Sequence, residues 1–242
     1  SLKYNFIAGI SYFIFSVSTA MIVDMLSVFY TESSLIIVFN ILVVIGLAEV
    51  FNKWRLYIWL AFLFAFAASA KLTGLVFILP ILAIIISKDK ALFKDMKIEG
   101  FFLLIAIFYL LINIFATSYM SLFDQMLANV YHLKTGHGTT YPSGFYQFKH
   151  MVKVLDPWIF IFLFSLLFLF LSKNIKNKFF VISVSLASIL IFLAQVNSAF
   201  TLNRNLTIVL IMMIFTISIV LSVGLSYLLN KNDKLQKNNL LI

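Results

Sequence analysis

The interval from Asn129 to Pro157 is the longest polar stretch in an otherwise apolar chain. It contains all three histidines, His132, His137 and His150, together with three lysines, three glycines and three tyrosines. Imidazole, ammonium and phenol groups can donate hydrogen bonds to an anionic ligand, and glycines let the backbone turn tightly beside it. The interval is therefore the first candidate for a site that binds a polar ligand.

A metal site built from the same histidines is an alternative chemistry. His132 and His137 stand five positions apart. A zinc site needs three or four ligands with orienting partners, and the interval has no cysteine and few carboxylates. The pattern therefore favours hydrogen bonding to a ligand over zinc coordination, while a divalent metal stays open as a cofactor.

The composition of the whole chain excludes a soluble globular domain. Of its 242 residues, 63% are hydrophobic and 11% are charged, and the mean hydropathy is +1.07, whereas a soluble domain carries about a quarter charged residues. Repeated apolar runs of helical length favour a helical bundle over a barrel. The absence of cysteine excludes disulfides and thiolate metal sites.

The apolar runs predict an all-α, polytopic transmembrane bundle of about eight helices. They cover residues 5–23, 33–50, 57–70, 72–86, 101–118, 157–171, 179–195 and 206–229. The third and fourth runs hold only about 15 residues each, which is about 22 Å of helix against a hydrocarbon core of about 30 Å. These two are expected to form a short hairpin around Lys71.

Basic residues orient this bundle. The formal net charge is +9, but the basic residues recur in short clusters between apolar runs, which is typical of a membrane topology signal and not of a nucleic-acid partner. With both termini in the cytoplasm, thirteen of the eighteen basic residues lie on the cytoplasmic side. The expected organisation is one transmembrane domain over 1–242, with an external loop at 119–156 and a cytoplasmic tail at 230–242, in a bacterial or archaeal plasma membrane.

Three further candidate residues fall on the predicted external side. Lys71 is recessed in the turn of the short hairpin, where a lysine is costly unless it faces a wet cavity or an anion; snorkelling to the headgroups is the alternative. Glu32 begins a helix, where a carboxylate also favours the helix N-terminus. Arg204 precedes the last apolar run and could bind a phosphate with two parallel bonds or anchor the chain among lipid headgroups.

The order of these features resembles the C-type integral-membrane glycosyltransferases. The similarity is to the bacterial branch related to protein O-mannosyltransferases and to the aminoarabinose transferases that modify lipid A. Four stretches carry it, namely VFYTESSLIIVFNIL, AASAKLTGLVFILPIL, NVYHLKTGHG followed by FYQFKHMVKVLDPWIFIFLFSLL, and LNRNLTIVLIMMI. The resemblance implies transfer of a sugar from a polyprenyl-phosphate carrier to an unknown acceptor at the extracytoplasmic face.

The resemblance also implies a role for each candidate. Glu32 would lie near the carrier phosphate or its metal, Lys71 would neutralise the phosphate, and Arg204 matches the arginine before the last helix. His132 and His137 match the tyrosine-histidine and glycine-histidine pairs of the long loop. The catalytic residue stays unknown, because a two-helix unit with an acidic loop is expected to precede the first run and the chain is expected to be an N-terminal truncation.

Two other functions stay open on the sequence. A transporter would also have recessed charge and short helices interrupted by glycine and proline, although no convincing internal repeat is seen. A non-catalytic membrane protein would not need the recessed lysine.

Overall fold

The computed structural model describes the chain as an assembly of helices. Described are residues 2–19, 31–47, 53–88, 97–116, 127, 131, 144–172, 175, 177–196 and 206–239. All regular secondary structure in these residues is helical, so the all-α prediction is confirmed. The helices are α1 (Leu2–Ser18), α2 (Thr31–Leu47), α3 (Lys53–Ala70), a 3-10 helix (Leu72–Phe77), α4 (Ile78–Lys88), α5 (Lys97–Ala116), α6 (Phe145–Leu155), α7 (Trp158–Leu171), α8 (Lys178–Val196) and α9 (Thr207–Asn239).

The first half of α9 is the centre of the bundle. Every residue from Leu206 to Val220 is buried, and α9 packs against α1, α2, α7 and α8. A helix that is apolar on all sides is stable where other helices surround it. At its middle, the Phe215 ring meets Tyr12, Phe39 and Phe180 edge to face, with ring centroids 5.8 to 6.0 Å apart. This cluster joins α1, α2 and α8 to α9.

Buried hydroxyl groups join α8 to α9. Ser185 Oγ lies 3.0 Å from Thr216 Oγ1, and Ser188 Oγ donates a 3.2 Å hydrogen bond to the carbonyl of Val209. Because the later residue of α8 pairs with the earlier residue of α9, the two helices are antiparallel. Small polar side chains at such a contact let apolar helices approach closely while their hydrogen bonds stay satisfied.

The α3 and α5 helices run parallel. Tyr57 faces Phe101, Phe62 faces Phe108, and Ser69 bonds Asn113. The start of α5 therefore lies level with the start of α3, and the chain must return between them. The 3-10 helix and α4 supply this return, since their combined length of about 28 Å matches the roughly 27 Å of α3.

The surface of the bundle is strongly apolar. On α7 the side chains of Phe164, Leu167 and Leu171 are 74%, 63% and 80% exposed, and α5 exposes a similar set. Such patches mark contact with lipid or with other apolar partners. Within the described residues, two helices, at Lys178–Val196 and Thr207–Tyr227, are long and apolar enough to cross a membrane, and the bent pair α6 and α7 gives a third if it is one span.

Several boundaries differ from the prediction, and the last helix continues to Asn239, ten residues beyond the predicted end of its apolar run. The helix predicted at 57–70 begins earlier, at Lys53, because the basic and aromatic residues before the apolar run are also compatible with a helix. The predicted loop at 119–156 includes the α6 helix over Phe145–Leu155.

Candidate functional site

The structure describes only some of the predicted site residues. Lys71 is described in full. Glu32 lies in the first turn of α2, for which the backbone is described. His132, His137 and Arg204 lie outside the described residues. Lys71 is therefore the predicted site residue whose surroundings the structure describes.

The backbone around Lys71 is a sharp helix break. The Lys71 N–H still donates to the Ala67 carbonyl at 3.2 Å, as in a last helical turn, but its own backbone is extended, with φ −163° and ψ 147°. The Lys71 carbonyl then accepts a 2.8 Å hydrogen bond from the N–H of Gly74. The reversal thus keeps these backbone groups satisfied, which an apolar environment requires.

Gly74 allows the 3-10 helix to fold back against α3. A methyl group at this position would overlap the carbonyl carbon and oxygen of Ala67. In a continuous helix, residues seven positions apart lie about 10 Å apart along the axis, so the contact between Gly74 and Ala67 is direct evidence of the reversal. The glycine in the sequence SAKLTG is thus explained by close packing.

A polar contact fixes α5 beside the same turn. Asn113, which is only 5% exposed, donates from Nδ2 to Ser69 Oγ at 3.0 Å and to the Tyr109 carbonyl at 2.7 Å. Ser69 is two residues before Lys71, which is itself partly buried. The turn therefore combines a lysine, a hydroxyl and an amide at the end of two apolar helices.

The first turn of α2 and the Lys71 turn lie at similar helical distances from the contact between Phe39 and Phe77. Phe39 and Phe77 stack, with ring centroids 6.4 Å apart. Phe39 is eight residues after Thr31 in an α-helix, and Phe77 is six residues after Lys71 in a 3-10 helix, which gives about 12 Å in each case. Both segments lead into the same aromatic contact, so the helix start that contains Glu32 and the Lys71 turn are about equally far from it.

A second polar region is formed by α6 and the end of α8. The N–H of Gly144 donates to the Val196 carbonyl at 3.2 Å, and Gln147 Nε2 lies 3.5 Å from the Gln195 carbonyl oxygen. Both glutamines are buried. At Asp156 and Pro157 the chain then bends by 87° into α7.

The chemistry open to the Lys71 turn is the binding of an anion. An ammonium group and polar hydrogens at the end of apolar helices suit a phosphate group whose tail lies in lipid. Within the described residues, no group of three or more His, Cys, Asp or Glu side chains could hold a metal.

Two features near these polar regions were not predicted from the sequence, namely the role of Asn113 and the α6 helix. Asn113 lies inside an apolar run, and its pairing with Ser69 depends on the parallel packing of α3 and α5. The α6 helix carried a local signal, because Gln147, Met151 and Leu155 recur every four residues and share its buried face.

Comparison of the chain with protein-family models, with curated proteins and with solved structures gave no match.

Proposed function

We propose that this chain belongs to a membrane glycosyltransferase that moves a sugar from a polyprenyl-phosphate carrier to an acceptor at the extracytoplasmic face. The observation that carries the proposal is the chain reversal at Lys71, where a lysine interrupts two apolar helical segments beside the Ser69–Asn113 contact. A charge at this position is costly in lipid. Pairing with a lipid-linked phosphate would offset that cost.

The proposed topology is multi-pass, with about eight spans in the plasma membrane of a bacterium or archaeon. Parallel packing of α3 and α5 supports two passes for the short pair, since α4 must return between them. The apolar side chains exposed on α5 and α7 support contact with lipid. In this topology the Lys71 turn faces the extracytoplasmic side.

In the proposed reaction an acceptor hydroxyl attacks the anomeric carbon of the lipid-linked sugar. The bond between that carbon and the phosphate oxygen breaks, a base takes the hydroxyl proton, and the polyprenyl phosphate leaves with an added negative charge. The Lys71 ammonium stabilises this charge as it develops. The identity of the base is not assigned to any residue of this chain.

The family resemblance supplies the roles proposed for the other candidates. Glu32 is proposed to lie near the carrier phosphate or a divalent metal bound to it. His132, His137 and Arg204 are proposed as further donors to the phosphate. The partners are the lipid-linked sugar, membrane lipid and an acceptor of unknown class, with no nucleic acid.

The proposal is tested by assaying transfer in proteoliposomes that contain the full-length protein. A panel of undecaprenyl-phosphate sugars is supplied with native membrane extract as acceptor, and the release of undecaprenyl phosphate is measured. Lys71→Ala should lower the rate by roughly 10²–10³-fold, as expected for loss of one donor to a developing oxyanion. Lys88→Ala, at the other end of α4, is the matched control and should keep the wild-type rate.

Two results would contradict the proposal. One is a Lys71→Ala protein that turns over at the wild-type rate. The other is solute flux across the same vesicles without any lipid-linked sugar and no transfer with it, which would favour a transporter, because broken helices also occur in transporters.

A further inference from the structure

The α7 helix has a strongly apolar surface and meets its neighbour α6 at 87°. Its sequence is WIFIFLFSLLFLFL, and the exposed side chains along it, such as Phe160, Phe164 and Leu171, are large and apolar. A helix with this surface is stable when it is inserted into the hydrocarbon layer. Its 14 residues span only about 21 Å, less than the hydrocarbon core of about 30 Å.

With α7 inserted along the membrane normal, α6, which meets it at 87°, lies close to the membrane plane. It precedes α7's first residue, Trp158, by only a two-residue turn, so it lies at the level where α7 enters the bilayer. Because α7 is shorter than the hydrocarbon core, local thinning of the bilayer and extension of the long lysine side chains bring α6 to the boundary between acyl chains and headgroups. An in-plane helix at this depth is expected to be amphipathic.

The α6 helix has one buried face and one exposed face, as expected for an amphipathic helix. Gln147, Met151 and Leu155 are buried against the bundle, and the Phe148 ring packs edge to face on Phe192 of α8 at 5.8 Å. This face fixes the helix to the protein. The opposite face is free to meet the membrane surface.

The exposed face carries a compact basic cluster. Lys149, His150 and Lys153 are all exposed, and the Tyr146 side chain is 63% exposed beside them. Lys149 and Lys153 are four positions apart, and Tyr146 and His150 likewise, so the Cβ atoms within each pair are roughly 5–6 Å apart. Two lysines at this spacing repel each other, which is unfavourable unless an anion lies between them.

No acidic side chain within α6 balances this charge, since its sequence is FYQFKHMVKVL. Asp156 follows the helix and is exposed, but in the described part of the chain no ion pair joins it to Lys149 or Lys153. Aromatic and basic side chains together are typical of segments that contact lipid headgroups.

We propose that the exposed face of α6 binds anionic phospholipid headgroups of the surrounding bilayer. Lys149 and Lys153 contact the lipid phosphates, and Tyr146 and His150 donate hydrogen bonds to the same headgroups. This binding fixes the depth of the bend between α6 and α7. The proposal does not depend on the transferase activity proposed above.

The test uses the absence of cysteine from the sequence. Phe145→Cys, at a side chain that is 81% exposed, carries a fluorophore on the full-length protein in phosphatidylcholine vesicles. Trace phosphatidylglycerol or trace phosphatidylcholine is added, each with the same nitroxide high on its acyl chain. The ratio of quenching by the two lipids measures the local enrichment of anionic lipid.

The quenching ratio should favour phosphatidylglycerol severalfold, up to about fivefold for each lysine near the surface, and should fall as salt is added. The double variant Lys149→Gln/Lys153→Gln should bring the ratio close to one, and Lys149→Arg/Lys153→Arg should keep it high. A label at Phe164→Cys on α7 is the control. It should be quenched equally by both lipids, and equally in all variants if the fold is intact.

Three results would overturn the proposal. The first is equal quenching by the two lipids at position 145 in the protein with both lysines. The second is a label at this position that neither lipid quenches, which would place α6 away from the membrane surface. The third is an enrichment that survives the two glutamine substitutions while the α7 control is unchanged.

Discussion

At the scale of single residues, Lys71 and Gly74 act together. The lysine ends α3 in an extended conformation, and the glycine lets the next segment contact the Ala67 carbonyl. The small-residue turn in the sequence indicated a reversal here. The sequence could not show that the backbone of Ala67 fills the space where a Gly74 side chain would lie, because that depends on the packing of the turn.

Gly74→Ala should destabilise the protein. The added methyl group overlaps backbone atoms of Ala67, which cannot move as a flexible side chain can, so a cost of about 1–3 kcal/mol is expected. The measurement is the free energy of unfolding in mixed micelles. Gly100→Ala in α5 is the control, because a methyl group there meets nothing within 4 Å, and it should be neutral or stabilising by up to about 1 kcal/mol. Equal effects of the two substitutions would contradict the close packing.

At the scale of elements, the contact between α3 and α5 is partly polar. The sequence predicted both helices from their apolar runs. It did not predict that they pack in parallel, since residues about 44 positions apart meet only after the intervening chain has returned. Ser69 and Asn113 therefore could not be recognised as partners in advance.

A double-mutant cycle on Ser69→Ala and Asn113→Ala should measure the strength of this contact. Hydrogen bonds between transmembrane helices average about 0.6 kcal/mol, with a maximum near 1.7 kcal/mol, and a coupling energy in this range is expected in mixed micelles. The control cycle pairs Asn113→Ala with Ser165→Ala, because Ser165 Oγ donates within its own helix to the Ile161 carbonyl. A coupling energy of zero for Ser69 and Asn113 would show that the contact does not stabilise the bundle.

At the scale of the whole molecule, α9 holds α1, α2, α7 and α8 together. Its hydrophobic length was evident from the sequence, but its central position was not, because an apolar run looks the same whether lipid or protein surrounds it. Its buried hydroxyls give a weak signal. The 0% exposure of Thr216 and Ser218 fits a surface that faces protein. The candidate site was predicted only in part for a similar reason. The sequence indicated Lys71, but the contact between Ser69 and Asn113 depends on how distant segments pack.

The proposed topology predicts which exposed positions share a side of the membrane. Since the sequence lacks cysteine, single cysteines can be introduced at Trp54, Tyr146 and Tyr227, which are 67%, 63% and 66% exposed. A membrane-impermeant maleimide should label Tyr146→Cys in intact cells, and the other two only after permeabilisation. Labelling of Tyr146→Cys and Tyr227→Cys from the same side would contradict the topology.

We propose that a polyprenyl phosphate binds at the Lys71 turn. This binding is tested most directly by crosslinking the full-length protein in proteoliposomes to an undecaprenyl phosphate analogue with a photoreactive group next to the phosphate, followed by mass spectrometry of the labelled peptides. We expect labelling between residues 67 and 74, and unlabelled undecaprenyl phosphate should compete with it. The labelling should be lost in Lys71→Ala but not in Lys88→Ala. Labelling confined to the opposite ends of α3 and α4, near Trp54 and Lys88, would contradict it.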